Sequence, residues 1–330
     1  MAVAYVTGGL MWLGERDGMN KDVLANGFIV AAVSAIVGAR VNGETGVTPV
    51  GAMGKVTQLA VGAAMPGDVT ANATVPADLE AQAHIVLKAP GVIYGLEVVD
   101  EVFRQVGVTD IDHTVVEGHW HDSVPRDIAL VNGPARAILA GERVALNFLG
   151  HLSGIATLTA RYVDAVGGTG TRILDTRKTT PGLRSLEKQA VSWGGGINHR
   201  FGLFDAVLIK ENHIAMAGGV RQSVEACRRQ SPDLLVEIEA ETIDQVAEAI
   251  EAGADRILLD NMDIDHLKRA VDLRESGGAG TELEASGGMS LENVRAVAET
   301  GVDFISIGAL THSAPQLDVS LLLDPTSPPA

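Results

Sequence analysis

The sequence predicts an α/β protein, with a barrel of parallel strands in its second half and a smaller α+β unit ahead of it. Three observations predict this. After Gly167-Gly168, short apolar runs alternate regularly with amphipathic stretches, the pattern of repeated strand–helix units whose like-directed strands pair in parallel. No glycine-rich dinucleotide turn follows the first of these runs, which favours a closed barrel over a doubly wound open sheet. Between Ala71 and Arg136 the pattern differs, with short alternating runs separated by turn residues, as in a small sheet with one face covered.

Residues 1–66 are glycine- and alanine-rich and weakly patterned, and they are read as an atypical N-terminal extension without an assigned role. Residues 67–150 form the first domain, with strands expected at Ala83–Leu87 and Asp127–Val131 and a helix near Leu96–Val106. Pro134 to Val166 reads as a long helix, because Leu139, Val144, Leu146, Leu149 and Leu152 recur at helical spacings. Strands are then expected at Thr171–Asp175, Ala206–Lys210, Leu235–Glu239, Arg256–Asp260, Glu282–Ser286 and Phe304–Gly308. Between them Thr242 and Gln245 form a capping-box pattern and Gly253 closes that helix, while Ser290 opens the next and Gly301 closes it. The barrel is taken as residues 151–310, with 311–330 returning to the first domain.

Composition bounds the function. The 330 residues carry a net charge of −17, and 46% are hydrophobic but only 4% aromatic, so the chain can bury a large aliphatic core. An acidic chain has no general attraction for nucleic acid or an anionic membrane. The single Cys227 excludes an internal disulfide and a cysteine zinc framework, and suits a reducing cytoplasm. The longest apolar run, Ala25–Val41, is interrupted and falls short of the ~20 residues of a membrane span, and no secretory leader is recognisable at the N-terminus.

Against this acidic background one segment is basic. From Thr171 to Lys210 seven cations (Arg172, Arg177, Lys178, Arg184, Lys188, Arg200, Lys210) face three carboxylates, a local balance of +4, which points to a small anionic ligand. The polar residues also fall in a telling place. Arg177 and Lys178 follow one strand, Lys210 ends the next, and Glu239, Asp260, Ser286 and Gly308 close successive strands. In a parallel barrel these ends open on one face, where barrel enzymes build their sites. Arg177, Lys178, His199, Arg200 and Lys210 suit carboxylates and phosphates. Glu239 and Asp260 suit Mg²⁺ or sugar hydroxyls, and Ser286-Gly287-Gly288 with Gly308 suits a phosphate.

Plainer roles stay open for each. Arg177-Lys178 could be a solvated strand-end pair and His199 a structural histidine. Glu237 and Glu241 compete with Glu239, the glycines could serve turns only, and Lys210 could form a Schiff base, as in barrel aldolases.

Several ordered motifs go further. D-T-R-K-T-T-P-G-L-R (Asp175–Arg184), G-G-G-I-N-H-R (Gly194–Arg200), L-I-K-E-N-H (Leu208–His213), L-L-D-N (Leu258–Asn261) and E-A-S-G-G (Glu284–Gly288) closely resemble the quinolinate phosphoribosyltransferase family. E-R-V-A-L-N-F and H-L-S-G-I-A-T between Glu142 and Thr157 add to the likeness, which runs from about Gly67 to Leu323. It implies an N-terminal sandwich domain, an incomplete seven-stranded α/β barrel, and dimers or hexamers built from dimers. It further implies conversion of quinolinate and phosphoribosyl pyrophosphate to nicotinate mononucleotide, pyrophosphate and CO₂ with Mg²⁺, within NAD biosynthesis. By the same likeness Arg177, His199, Arg200 and Lys210 hold the quinolinate carboxylates, and Arg143 reaches the site from a neighbouring subunit. Lys178 lies between the substrates, Glu239 and Asp260 serve ribose and metal, and Ser286, Gly287, Gly288 and Gly308 bind phosphate. The chain departs from the family pattern at Val61–Pro66, where relatives carry an acidic Glu-Asp-Leu stretch. Two other functions are consistent with the residues: a related transferase for another aromatic acid, and a catalytically silent sugar-phosphate binder.

Overall fold

The computed structural model of the protein describes residues 68–277 and 280–325. The expected N-terminal extension, residues 1–66, lies outside them.

The first unit opens with α1 (Val69–Thr74), capped by the Asp68 carboxylate. A four-stranded antiparallel sheet follows, in the order β12-β1-β5-β3, from Val319–Pro325, Glu80–Leu87, Arg126–Pro134 and Asp110–His113. β1 buries Ala81, Ala83, Ile85 and Leu87, every second residue, as a sheet covered on one face requires. α2 (Leu96–Gln105) lays Leu96, Val99, Val102 and Phe103 into that core. A two-stranded pair, β2 (Gly91–Val92) with β4 (Trp120–His121), completes the unit.

The link to the barrel is α3, a single helix of 31 residues from Ala135 to Ala165. Its first half packs Ile138, Ala145 and Leu149 into the sheet's core, and its second half packs Leu152, Ile155 and Tyr162 into the barrel's. Gly154 is obligatory there, because a Cβ would collide with the Pro315 carbonyl where the chain returns towards β12.

Six parallel strands follow: β6 (Arg172–Leu174), β7 (Val207–Ile209), β8 (Val236–Ala240), β9 (Arg256–Asp260), β10 (Glu282–Ser286) and β11 (Phe304–Ser306). They pair in the order β6-β11-β10-β9-β8-β7. The seventh position holds one parallel bridge, Ile197 to Leu174, so the barrel is open between β6 and β7. Outside it lie α4 (Arg184–Trp193), α5 (Glu211–Ala217), α6 (Val220–Gln230), α7 (Ile243–Glu251) and α8 (Ile264–Gly277). α9 (Val294–Ala298) and α10 (Ala309–His312) complete the ring.

The Thr242/Gln245 capping box is present at α7, and Gly253 and Gly301 take φ of 79° and 94° where their helices end. The helix expected from Ser290 starts later, at Val294, because Asn293 Oδ1 accepts the Ser290 N–H and closes a turn first. β11 stops at Ser306 because Gly308 already carries helical angles as the N-cap of α10. Among the described residues no helix is long and apolar enough to cross a membrane.

Candidate active site

The C-terminal strand ends converge as the barrel pattern demands. A cavity of about 280 Å³ opens there, with Arg177, Lys178, His199, Arg200 and Lys210 on one side and Glu239, Asp260 and Ser286 on the other. Lys210 donates to Glu239 Oε2 at 2.9 Å, bridging the two halves. Arg177 Nε and Arg200 Nε are buried with no hydrogen-bond partner in the protein. Burial, and then the Arg177 charge, pull the Arg200 guanidinium below its usual pKa. Two crowded guanidiniums with unspent donors call for an anion between them.

The basic segment is narrower than its charge balance suggested. Arg172 begins β6 at the opposite end of the barrel, 3.5 Å from Glu282 and stacked on Phe304. Arg184 is used internally, donating to Thr179 Oγ1 and to the Arg177 and Phe201 carbonyls. Lys188 is only 2% exposed and donates to Asp175 Oδ1 and the His199 carbonyl. The expected +4 patch therefore reduces to Arg177, Lys178, Arg200 and Lys210. A strand start faces away from the mouth, and a cation on the inner face of α4 is held by packing rather than by ligand.

Lys188 has a positioning role instead. Asp175 Oδ1, its partner, also accepts the His199 N–H at 2.8 Å, so the buried pair grips His199 at both backbone groups. The His199 ring is then fixed: Nδ1 accepts the Arg200 N–H at 2.7 Å, which leaves the proton of the neutral ring on Nε2. That nitrogen stands 2.9 Å from Glu237 and 3.6 Å from Glu284. Its ring points into the barrel rather than out of the mouth.

On the acidic side Glu239, Glu241 and Asp260 each offer a carboxylate oxygen within 4.8 Å of one another, a hard-oxygen set of the kind Mg²⁺ accepts. Ser286 lies in register with Asp260. After it Gly287 and Gly288 take φ of 100° and 59°, and a Cβ on Gly287 would strike the Asn261 side chain. Only glycine lets the chain turn there, directly after Ser286, which lines the cavity. A Cβ on Gly308 would come within 3.1 Å of Lys178 Cδ and 3.2 Å of His312 Nε2. Arg143 is exposed on α3 and takes no part in lining its own chain's cavity.

Residues 155–322 match the quinolinate phosphoribosyl transferase C-terminal domain, and residues 68–153 the N-terminal domain. The chain belongs to this family. It is 43% identical over 258 residues to the nicotinate-nucleotide pyrophosphorylase [carboxylating] of Mycobacterium leprae (strain TN), covering 77% of this chain and 90% of that one. A probable enzyme of the same name from Bacillus subtilis (strain 168) is 42% identical, over 77% and 87% of the two chains. Among solved structures, NadC from Streptococcus pyogenes superposes with a TM-score of 0.79 at 36% identity, over 86% of this chain and all of that one. The nicotinate-nucleotide pyrophosphorylase from Francisella tularensis gives 0.78 at 35%, over 83% and 96%. Residues 2–82 separately match the OPT oligopeptide transporter protein family, a likeness that overlaps the described fold only at residues 68–82.

Within this family frame, the sequence assigned no role to His312 or Glu284, and Glu237 entered only as a rival to Glu239. His312 stands beside Gly308 and Lys178 but follows the end of β11 by six positions. Glu237 and Glu284 face inward two residues before Glu239 and Ser286. The period of two was the available signal, since strand neighbours at that spacing share a face.

Proposed function

We propose that the protein is a quinolinate phosphoribosyltransferase working at this strand-end cavity, joining quinolinate to phosphoribosyl pyrophosphate to give nicotinate mononucleotide, pyrophosphate and CO₂ in NAD biosynthesis. The observation that carries the reading is the unpartnered Nε donors of Arg177 and Arg200 beside Lys210, set across from acids and a glycine turn. The cations take the two carboxylates of quinolinate, offsetting their mutual repulsion, and His199 lines the same side. Lys178 lies between the substrates. Glu239 and Asp260 face the ribose and would hold Mg²⁺, which when bound would supply charge neutralisation of the pyrophosphate leaving group. Backbone groups of Ser286, Gly287, Gly288 and Gly308 take phosphate.

This placement suits the chemistry. Attack by the pyridine nitrogen on the anomeric carbon builds positive charge on the ribose, which the Glu239 and Asp260 carboxylates stabilise. Once alkylated, the ring nitrogen is cationic and can accept the electrons left by loss of the adjacent carboxylate, so decarboxylation follows ribosyl transfer. Free nicotinate released from quinolinate as an intermediate would contradict that order.

Arg143, exposed and away from its own cavity, is assigned to the site of a second subunit in a homodimer, which can assemble further into hexamers, and the work is assigned to the cytoplasm. The decisive assay follows CO₂ release from quinolinate with phosphoribosyl pyrophosphate and Mg²⁺, with nicotinate as the comparison. Quinolinate is expected to be the preferred substrate; no turnover, or equal use of nicotinate, overturns the proposal. Arg143→Ala subunits mixed with Lys178→Ala subunits should regain activity through a hybrid site. Mixed dimers without recovered activity would refute the shared site.

A further inference from the structure

Beneath the mouth lies a second layer of inward-facing residues, each two positions before a mouth residue on its strand: Leu208, Leu258, Glu284 and Ser306 line the cavity floor, with Glu237 behind them. Two acids in such a layer are costly, since an unpaired buried charge is strongly disfavoured. Glu284 is 0% and Glu237 1% exposed, and neither oxygen of Glu284 has a hydrogen-bond partner. The surrounding groups do not supply two full positive charges. His199 Nε2 stands 3.6 Å from Glu284 Oε2, and Arg256 Nη1, reaching up from β9, stands at 3.6 Å as well. Ser306 faces Glu284 from β11 and Glu237 from β8, with the Glu239 charge beyond it. Arg256 is itself shared with Glu282 at 2.7 Å. The His199 ring is held below its ordinary pKa, first by burial; Glu284 pulls it up, and the charges of Arg256, Lys188 and Arg200 press it down again. One cation thus serves two carboxyls, and the floor keeps a proton.

We propose that Glu284 is the acid that protonates the pyridinium carbon from which CO₂ departs. The inference rests on the quinolinate reading above and adds the one component that reading lacks. When the C2–carboxylate bond breaks, its electron pair stays on C2 beside the cationic nitrogen and CO₂ leaves. The Glu284 O–H bond then breaks and its proton forms the new C2–H bond, leaving a carboxylate that water reprotonates. Guanidiniums cannot serve, because Arg177 and Arg200 do not give up protons. The Lys210 ammonium is shared between Glu239 and the substrate carboxylate it is assigned. Burial, then repulsion from Glu237, push Glu284 up to about 8, a poise suited to a general acid near neutrality. His199 and Glu237 position and tune it.

The test is Glu284→Gln in the full chain with both substrates and Mg²⁺. The amide keeps the shape but has no acidic proton, so kcat should fall by about 100-fold or more while the quinolinate KM stays near the wild-type value. The wild-type kcat should decline as pH rises through about 8, and the residual activity of the variant should lack that limb. A wild-type kcat, or a raised KM with the alkaline limb kept, overturns the proposal. A second measurement is independent of turnover and of the variant's folding: ¹³C NMR of δ-¹³C-glutamate-labelled wild-type protein should show a carboxyl titrating near 8. Its absence overturns the proposal whether or not quinolinate is turned over, whereas failure of the enzyme assay alone would count against the functional reading.

Discussion

Replacing Lys188 with methionine should both destabilise the protein and loosen its quinolinate side. Lys188 is 2% exposed and Asp175 0%, and burial pushes Asp175 up and Lys188 down against their mutual attraction. Such a pair adds little net stability, yet removing one partner strands the other's charge, at a cost of about 3–5 kcal/mol. Lys188→Met strands Asp175 and also removes the donor to the His199 carbonyl. At about 2–4 °C per kcal/mol for a domain of this size, the melting temperature should drop by roughly 6–20 °C. Pairing Lys188→Met with Asp175→Leu should recover part of that loss, because no buried charge is then unpaired, but not all of it, because the His199 N–H loses its acceptor. Differential scanning fluorimetry measures the first effect, and quinolinate KM, rising as the His199–Arg200 segment shifts, measures the second. A single variant that melts like wild type, or a double variant no better than the single, would refute the reasoning.

Gly287→Ala places a Cβ against the Asn261 side chain at a φ of 100°, so it should weaken phosphoribosyl pyrophosphate by about 5–150-fold, given strain of order 1–3 kcal/mol, in a KM measurement. Lys210→Ala removes a charge-assisted donor worth about 1.5–3 kcal/mol, so the quinolinate KM should rise by about 10–150-fold; an unchanged KM would remove Lys210 from the carboxylate site. Stability should also depend on pH in an unusual direction. Burial holds Glu237 near 7 and Glu284 near 8, so the folded state binds more protons than the unfolded one above the ordinary carboxyl pKa, and stability falls as pH rises from about 4.5 through 8. Glu284→Gln should therefore raise the melting temperature relative to wild type at pH 9 more than at pH 5. Equal differences at the two pH values would show that Glu284 is ionised throughout.

Much of the fold was legible because it rests on local spacing. The helix expected over Pro134–Val166 spans Ala135–Ala165, since a long apolar stripe with no internal proline has one regular solution. The strand cores of β8, β9 and β10 fall where the aliphatic runs fall. The seventh strand was not legible: Gly194–Arg200 carries no apolar run, and Ile197 contributes a single bridge. In the site, strand-end position singled out Lys210, Glu239, Asp260 and Ser286, and all four line the one cavity. Glu237 was weighed only as a rival to Glu239, although Glu237, at 1% exposure, and Glu239, at 9%, are both buried in one column. The expected extension 1–66 stayed without a role, and its likeness to a transporter family is visible only by comparison.

By itself the sequence determined the strand–helix rhythm, the parallel barrel that rhythm implies, the convergence of strand-end residues on one mouth, and the family. Each follows from residues near one another in the chain or from motifs read in order. The tertiary structure alone decided which cations face the cavity. Arg172, Arg184 and Lys188 are as basic as Arg177 and Arg200, yet packing turns one to the far end of the barrel and spends two on internal partners. It alone also showed two buried acids beneath the mouth. Charge is a property of the residue, but its availability depends on burial and on partners that lie distant in the sequence, which no local pattern records.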